Sequence, residues 1–187
     1  MLHSTEKTEL NQYISSDKFP VSFFKNIKNP EAKSLDVSWE ELVRFFQSPR
    51  VSEDKDTILF GPYKLIENQK RANTNVVEVS LLVFDIDDPQ GKTANEIMDL
   101  VIEYDAILHS TWSHTADTPR YRLIMKLANP VAANQFNEVR SGFLFFNSEL
   151  ASIIDKACSD PARAYYLFSY PIERSHYAVC LTNKGKP

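Results

Sequence analysis

The sequence predicts an α+β protein, in which strands and helices interleave and at least two strands pair as a hairpin. Three observations predict this class. Of the 187 residues, 43% are hydrophobic and 25% are charged, as in an ordinary globular protein. Strand-like apolar runs are separated by segments in which apolar residues recur at helical spacing. A polar turn over residues 113–119 joins two of the runs, which favours a hairpin over a purely parallel sheet.

The first half of the chain is predicted to contain two helices and two strands. The helices are predicted over residues 5–15 and 38–47, and the strands over 57–65 and 76–87. Ser38 is a suitable N-cap for the second helix, because its hydroxyl can accept a hydrogen bond from the first turn. The second strand is rich in Val and Leu, which favour strands, and it ends in acidic residues.

The second half of the chain alternates between helices and strands. Thr93 and Glu96 form a capping box, and apolar residues then repeat at helical spacing as far as Tyr104. A second helix is predicted to open at Asn129-Pro130, with Phe136, Val139 and Phe143 as its buried stripe. The predicted strands are 106–112, 120–127, 164–168 and 177–181.

Length and composition predict one domain over residues 1–187, which can also be a piece of a longer chain. No apolar stretch approaches the ~18 residues of a membrane span, and the first residues lack a signal pattern. We therefore expect a cytoplasmic protein without a membrane partner. The net charge of −4 does not predict a broadly basic surface, so any nucleic-acid function must rest on local residues. Two cysteines, Cys158 and Cys180, are too few for a disulfide framework or a cysteine-rich zinc module.

The sharpest local feature is an apolar strand that ends in Asp85-Ile86-Asp87. Strand side chains alternate with a period of two, so Asp85 and Asp87 lie on the same face. Two neighbouring carboxylates on one face repel each other unless a cation lies between them. Carboxylate oxygens are hard ligands, which suit Mg²⁺ or Mn²⁺. The alternative is a strand that ends in a polar turn, but a pair of acids leaving a buried strand favours the metal interpretation.

A third acid, Asp155, follows the apolar pair Ile153-Ile154 and precedes Arg163 by eight residues. Asp155 could be another metal ligand and Arg163 a phosphate clamp. Equally, Asp155 could end a helix before a simple turn. The spacing alone leaves both interpretations open.

The predicted hairpin over residues 106–127 carries the remaining candidates. Arg120 and Arg122 share one strand face and present two cationic forks that suit a triphosphate, although alternating arginines more often form an exposed basic edge. Ser113 and His114 lie in the turn, where a single histidine is more often solvated than functional. Other chemistries find no support, because the sequence has no HExxH, no G-x-S-x-G, no Walker A loop and only four glycines.

Taken together and in this order, the motifs resemble the catalytic core of the archaeo-eukaryotic primase superfamily, the primase-polymerases. The nearest resemblance is to plasmid- and phage-type replicative primases. It extends from about Lys64 to Phe168 and rests on three segments, LLVFDIDD (81–88), HSTWSHTADTPRYRLIMKL (109–127) and IIDKACSDPARAYYL (153–167). The fold that the resemblance implies is an RRM-like core, motif-bearing over about 57–182, with a mostly antiparallel sheet flanked by helices and an N-terminal α/β unit.

The second motif departs from the usual form of the superfamily. Many members have Ser-x-His on the strand after the turn, with the histidine on the nucleotide's phosphates. Here that place holds Arg120-Tyr121-Arg122, and the nearest Ser-His is Ser113-His114, before the turn. Either the arginines bind the phosphates instead, or His114 reaches the site from the other arm.

The activity that the resemblance implies is primer synthesis by two-metal nucleotidyl transfer in plasmid or phage replication. Asp85, Asp87 and Asp155 would hold two Mg²⁺ or Mn²⁺ ions. The residues expected to bind the nucleoside triphosphate are Ser113, His114, Arg120, Arg122 and Arg163. The implied partners are a single-stranded DNA template, nucleoside triphosphates and a replicative helicase or initiator.

Two other functions remain open at this point. One is a non-catalytic module that binds a nucleotide or a single strand during replication, which the missing Ser-x-His favours. The other is a metal-dependent nuclease, because acids beside basic residues also suit phosphodiester hydrolysis. A nuclease is expected to have a lysine in a strand beside the acids, and this sequence has arginine there.

Overall fold

A computed structural model describes residues 18–157 and 159–185, so the predicted helix over 5–15 and Cys158 lie outside the described residues. The strands are β1 (Lys18–Phe24), β2 (Ala32–Ser38), β3 (Arg50–Val51), β4 (Leu59–Gly61), β5 (Tyr63–Leu65), β6 (Val76–Ile86), β7 (Ala106–Ser110), β8 (Tyr121–Ala132), β9 (Tyr165–Tyr166), β10 (Ser169–Tyr170) and β11 (Cys180–Asn183). The helices are α1 (Trp39–Phe46), α2 (Ala94–Asp99), α3 (Phe136–Phe146) and α4 (Ser148–Ile153), with short 3-10 helices at Asn73–Asn75 and Ile172–Tyr177.

The main sheet has five strands in the order β11-β7-β8-β6-β5, and every neighbouring pair is antiparallel. A second, four-stranded antiparallel sheet has the order β2-β1-β4-β9, and β3 pairs with β10 in parallel. The predicted α+β class, with a mostly antiparallel sheet flanked by helices, is confirmed. None of the helices in the described ranges has the length and apolar character that crossing a bilayer requires.

Strand β6 lies between two hydrophobic cores, because its side chains alternate between the faces of the main sheet. Leu82, Phe84 and Ile86 join a first core with residues of α2, α3 and α4. Leu81 and Val83 join a second core with α1 and part of the four-stranded sheet. Both faces of β6 are therefore buried, which explains its nearly unbroken apolar sequence.

Both predicted capping signals are present. The Ser38 hydroxyl accepts a hydrogen bond from the Glu41 N–H at 3.1 Å, and the Glu41 carboxylate accepts one from the Ser38 N–H at 2.8 Å. Thr93 and Glu96 form the same box at the start of α2. This second helix ends at Asp99, five residues before the predicted end at Tyr104, and the chain continues in turns.

The prediction that Asn129-Pro130 opens a helix is wrong, because β8 continues through Pro130 to Ala132 and α3 begins at Phe136. The pairing of β7 with β8 stops at Met125, so beyond this residue β6 is the one described strand that pairs with β8. The register of that remaining pairing shifts in a bulge near residue 80. A proline is tolerated at such a place, because a strand there makes fewer ladder hydrogen bonds.

Other strand predictions need correction at their ends. The predicted strand 57–65 is two strands in different sheets, β4 and β5, separated at Pro62, which has no N–H to continue a ladder. The predicted strand 177–181 lies too early, because a 3-10 helix ends at Tyr177 and β11 begins at Cys180 and continues to Asn183. The hairpin of β1 and β2 was not predicted from the sequence. Together with α1, it forms the described part of the N-terminal α/β unit.

Candidate functional site

The end of β6 places Asp85 between two arginines. Its Oδ1 accepts a hydrogen bond from Arg122 Nε at 2.7 Å, and its Oδ2 lies 3.4 Å from Arg163 Nη2. The side chains of Asp85 and Arg122 are only 12% and 10% exposed, so this ion pair is largely removed from water. Removing one partner of such a pair would leave the other charge buried and uncompensated.

Strand register explains the contact between Asp85 and Arg122, because the two residues are direct partners in the β6–β8 ladder. Arg122 also donates from Nη1 to the Tyr166 carbonyl at 2.6 Å, and its guanidinium lies 5.0 Å from the centre of the Tyr165 ring. The guanidinium of Arg163 lies 5.8 Å from the same ring. One arginine therefore links β6, β8 and β9, and one aromatic ring packs against both cations.

Asp87 and Arg120 form a second ion pair, in which Asp87 Oδ1 lies 2.9 Å from Arg120 Nη1. Their side chains are 55% and 41% exposed, so water screens the pair. Each acid of the Asp-x-Asp motif thus contacts one arginine of the Arg-x-Arg motif, as expected if each motif presents both of its residues on one face.

Asp155 is brought beside the first motif through its backbone. Its N–H donates to the Asp85 carbonyl at 2.8 Å, while its carboxylate accepts from the Ala157 N–H at 2.9 Å and so closes a turn. Arg163 Nη1 lies 3.5 Å from the Ala157 carbonyl. The first and third motifs therefore meet, although the Asp155 carboxylate has a structural role in this conformation.

His114 is buried and holds the turn after β7 closed, because its Nδ1 accepts a hydrogen bond from the Arg120 N–H at 3.0 Å. Burial lowers the pKa of His114 and so favours the neutral ring. Because Nδ1 accepts from the Arg120 N–H, the proton of the neutral ring lies on Nε2. The ring packs against Tyr121 with 5.0 Å between centroids. The Ser113 hydroxyl makes no hydrogen bond among the residues that the structure describes.

The carboxylates can be tested as ligands for the expected divalent ions. Asp85, Asp87 and Asp155 offer the hard oxygen atoms that Mg²⁺ and Mn²⁺ prefer. Within residues 18–157 and 159–185, however, no three acidic, histidine or cysteine side chains are gathered closely enough to hold a metal. The acids fit a divalent ion by ligand type, and holding one would require Asp85 and Asp87 to leave their arginine partners.

His109 is a residue of this site that the sequence analysis missed. It lies on β7 as the direct ladder partner of Arg122, and its side chain is 1% exposed. The ring packs between Phe46 and Phe168, at 5.2 and 5.0 Å between centroids. Burial, with a smaller contribution from the Arg122 charge, lowers its pKa to about 3. The available signal was a histidine inside the apolar run Ala106–Ser110.

The fold and the site together define an α+β domain in which strands β6, β8 and the segment after α4 bring acids and arginines to one end of a buried sheet. A family model described as the VapE N-terminal domain matches residues 52–180, well over half of the chain. The chain belongs to the VapE N-terminal domain family. This membership agrees with the resemblance to archaeo-eukaryotic primases that the three motifs carry, and that recognition is confirmed.

Among solved structures, the chain is similar to the AEP domain of the primase-polymerase (PrimPol) of cyanophage S-2L. The two are 11% identical, with a TM-score of 0.49, and the similarity covers 89% of this chain and 82% of the other. No curated protein matches the sequence.

Proposed function

We propose that this chain is a primase-polymerase domain that synthesises primers from nucleoside triphosphates on single-stranded DNA in plasmid or phage replication. Membership of the VapE N-terminal domain family supports a role in replication. The observation that carries the proposal is the meeting of three acids and three arginines from the three primase-like motifs at the end of β6. Template, nucleotide and a replicative helicase or initiator are its proposed partners.

The arginines and acids of the site would exchange partners when a nucleotide binds. Arg120, Arg122 and Arg163 would donate to the phosphate oxygens, because guanidinium groups bind phosphate as readily as carboxylate. The released Asp85 and Asp87, together with Asp155, would then hold Mg²⁺ or Mn²⁺. These ions, when bound, supply charge neutralisation and activate the attacking 3′-hydroxyl. His114 could add a donor from Nε2, and Ser113 a hydroxyl, at the turn beside Arg120.

A thermal-shift series with a nucleoside triphosphate, with and without Mn²⁺, tests this proposal. A ligand at about a hundred times its dissociation constant stabilises the folded protein by roughly 2.7 kcal/mol, which such a series detects. We expect a shift that requires Mn²⁺ and that Asp87→Asn abolishes. Asp88→Asn is the matched control, because Asp88 is the next acid and, within the part of the chain that the structure describes, its carboxylate accepts a hydrogen bond only from the Gln90 N–H. A wild type that neither binds triphosphate nor extends a primer would contradict the proposal.

A non-catalytic module that binds nucleotide is the second candidate. The ion pairs of Asp85 and Asp87, with no three-ligand metal cluster among the described residues, favour it. In that case triphosphate binding would not depend on metal and would survive Asp87→Asn. The same series therefore separates the two functions.

Template binding is expected to be weak, because the net charge of −4 opposes a polyanion. Binding that rests on a few arginines should fall steeply as salt is raised. Anisotropy of a labelled oligonucleotide between about 50 and 200 mM salt measures this. Tight binding that is insensitive to salt would contradict an arginine-based template site.

A further inference from the structure

His109 has an unusual position for a buried histidine. Asp85, Arg122 and His109 form one row across β6, β8 and β7, because Arg122 is the ladder partner of both other residues. Asp85 contacts Arg122 from one side. His109 therefore lies on the opposite side of the same arginine.

Among the described residues, the Nε2 atom of His109 is a buried acceptor without a hydrogen-bond partner. Nδ1 lies 2.8 Å from the Ser110 carbonyl, and this contact is a hydrogen bond only if Nδ1 carries the proton. In the neutral ring, Nε2 then has a lone pair, and this lone pair accepts no hydrogen bond from residues 18–157 or 159–185. An unsatisfied buried acceptor costs stability, so packing alone does not account for a histidine at this position.

The surroundings of the ring hold this acceptor in place. Phe46 stacks on it with an interplanar angle of 27°, and Phe168 lies on it at 34°. A phenylalanine would fill the same space and would bring no unsatisfied nitrogen. Histidine differs from phenylalanine here in two atoms, the Nδ1 donor to the Ser110 carbonyl and the unsatisfied Nε2 acceptor, on the residue that is paired with Arg122 in the sheet.

We propose that His109 is a positioning residue for Arg122, and that its Nε2 accepts a hydrogen bond from the guanidinium when Arg122 leaves Asp85 for a nucleotide phosphate. This inference rests on the proposed function. Arg122 uses Nε for Asp85 and Nη1 for the Tyr166 carbonyl in the structure. When Asp85 turns to a metal, the arginine loses one anchor, and His109 would supply another from the adjacent strand. The phosphate-binding geometry of Arg122 would then be fixed by two strands.

The test compares His109→Phe with His109→Gln. Phenylalanine keeps the packing and removes both the Nε2 acceptor and the Nδ1 donor to the Ser110 carbonyl, whereas glutamine keeps an acceptor oxygen and a donor amide. Affinity for ATP with Mn²⁺ is measured by calorimetry, and stability by urea unfolding of the same samples. We expect His109→Phe to bind ATP at least about tenfold more weakly while unfolding at the same or a higher urea concentration. His109→Gln is expected to bind within about threefold of the wild type.

A double-mutant cycle with Arg122→Gln shows whether His109 acts through the arginine. We expect His109→Phe to have no further effect on ATP affinity once Arg122 is replaced. Equal losses in both backgrounds, or wild-type affinity in His109→Phe, would overturn the inference and leave the proposed function intact. A wild type that binds no ATP would instead remove the proposed function and the inference with it. If His109→Phe fails to fold, His109→Leu takes its place in the same cycle, because leucine is also apolar and also lacks the acceptor.

Discussion

The sequence predicted which acids and arginines belong to the site, but it did not predict which acid contacts which arginine. The Asp-x-Asp and Arg-x-Arg spacings indicated which side chains share a face, because alternation is a local property. The contact of Asp85 with Arg122 depends on the register of two strands separated by more than thirty residues, which spacing does not give. His109 was missed for the same reason, since its importance comes from being the ladder partner of Arg122.

Burial predicts that the two acids of the Asp-x-Asp motif contribute unequally to stability. Asp85→Asn would leave the Arg122 charge largely buried beside a neutral amide, so we expect a loss of about 3–5 kcal/mol in the free energy of unfolding. Asp87→Asn removes an exposed pair, and we expect about 0–1 kcal/mol. Urea unfolding of both variants measures the difference. Equal losses would mean that Asp85 is better solvated than its surroundings indicate.

The pKa of His109 predicts a specific sensitivity to acid. Burial lowers this pKa to about 3 in the folded protein, while the unfolded chain has the ordinary value near 6.5. Between these values the unfolded state binds a proton that the folded state excludes, so stability falls as the pH falls below about 6.5. Relative to His109→Phe, the wild type should lose about 2 kcal/mol between pH 7 and pH 5. Urea unfolding at both pH values measures this, and parallel losses in the two proteins would contradict it.

At the scale of secondary-structure elements, local signals predicted where helices begin better than where strands end. The capping boxes of α1 and α2 involve residues only three positions apart, so the sequence alone identifies them. Asn129-Pro130 predicts a helix start, because proline favours the first helical turn. Pro130 is tolerated in β8 because the pairing with β7 has already ended at Met125. Where that pairing ends depends on a distant segment, so the residues around Pro130 do not predict it.

The capping box of α1 provides a test at this scale. Ser38→Ala removes the acceptor for the Glu41 N–H, and we expect the free energy of unfolding to fall by about 1 kcal/mol. Ser38→Asp keeps an acceptor and should remain within a few tenths of a kcal/mol of the wild type. Thermal or urea unfolding of the pair measures the cap. An alanine variant as stable as the aspartate variant would show that the box does not stabilise α1.

The whole molecule is organised around a sheet that both hydrophobic cores share. The α+β class followed from composition and a single hairpin signal. The strand orders were not predictable, because they rest on pairings between distant segments such as β4 with β9. The division into two sheets at Pro62 depends in the same way on which partner each half of the segment finds.

Shared packing predicts that the two cores unfold together. Leu123 is fully buried in the first core and Phe60 in the second. We expect Leu123→Ala to cost about 2–5 kcal/mol and Phe60→Ala about 3–5 kcal/mol. In each variant, urea unfolding followed by tryptophan fluorescence should coincide with unfolding followed by circular dichroism. In a Trp112→Phe background fluorescence reports on Trp39 in the second core, so an early fluorescence transition in Phe60→Ala alone would mean that this core melts separately.

The alternation along β6 also restricts how the length of this chain can vary. Phe84 belongs to the first core, whereas Asp85, its neighbour, faces Arg122. Inserting or deleting one residue between Leu81 and Phe84 would reverse every later side chain, placing a carboxylate among the apolar residues of one core and a phenyl ring against the arginines. Related proteins that contain this strand should therefore have their insertions in the loops on either side of it, where side chains do not have to alternate between two faces.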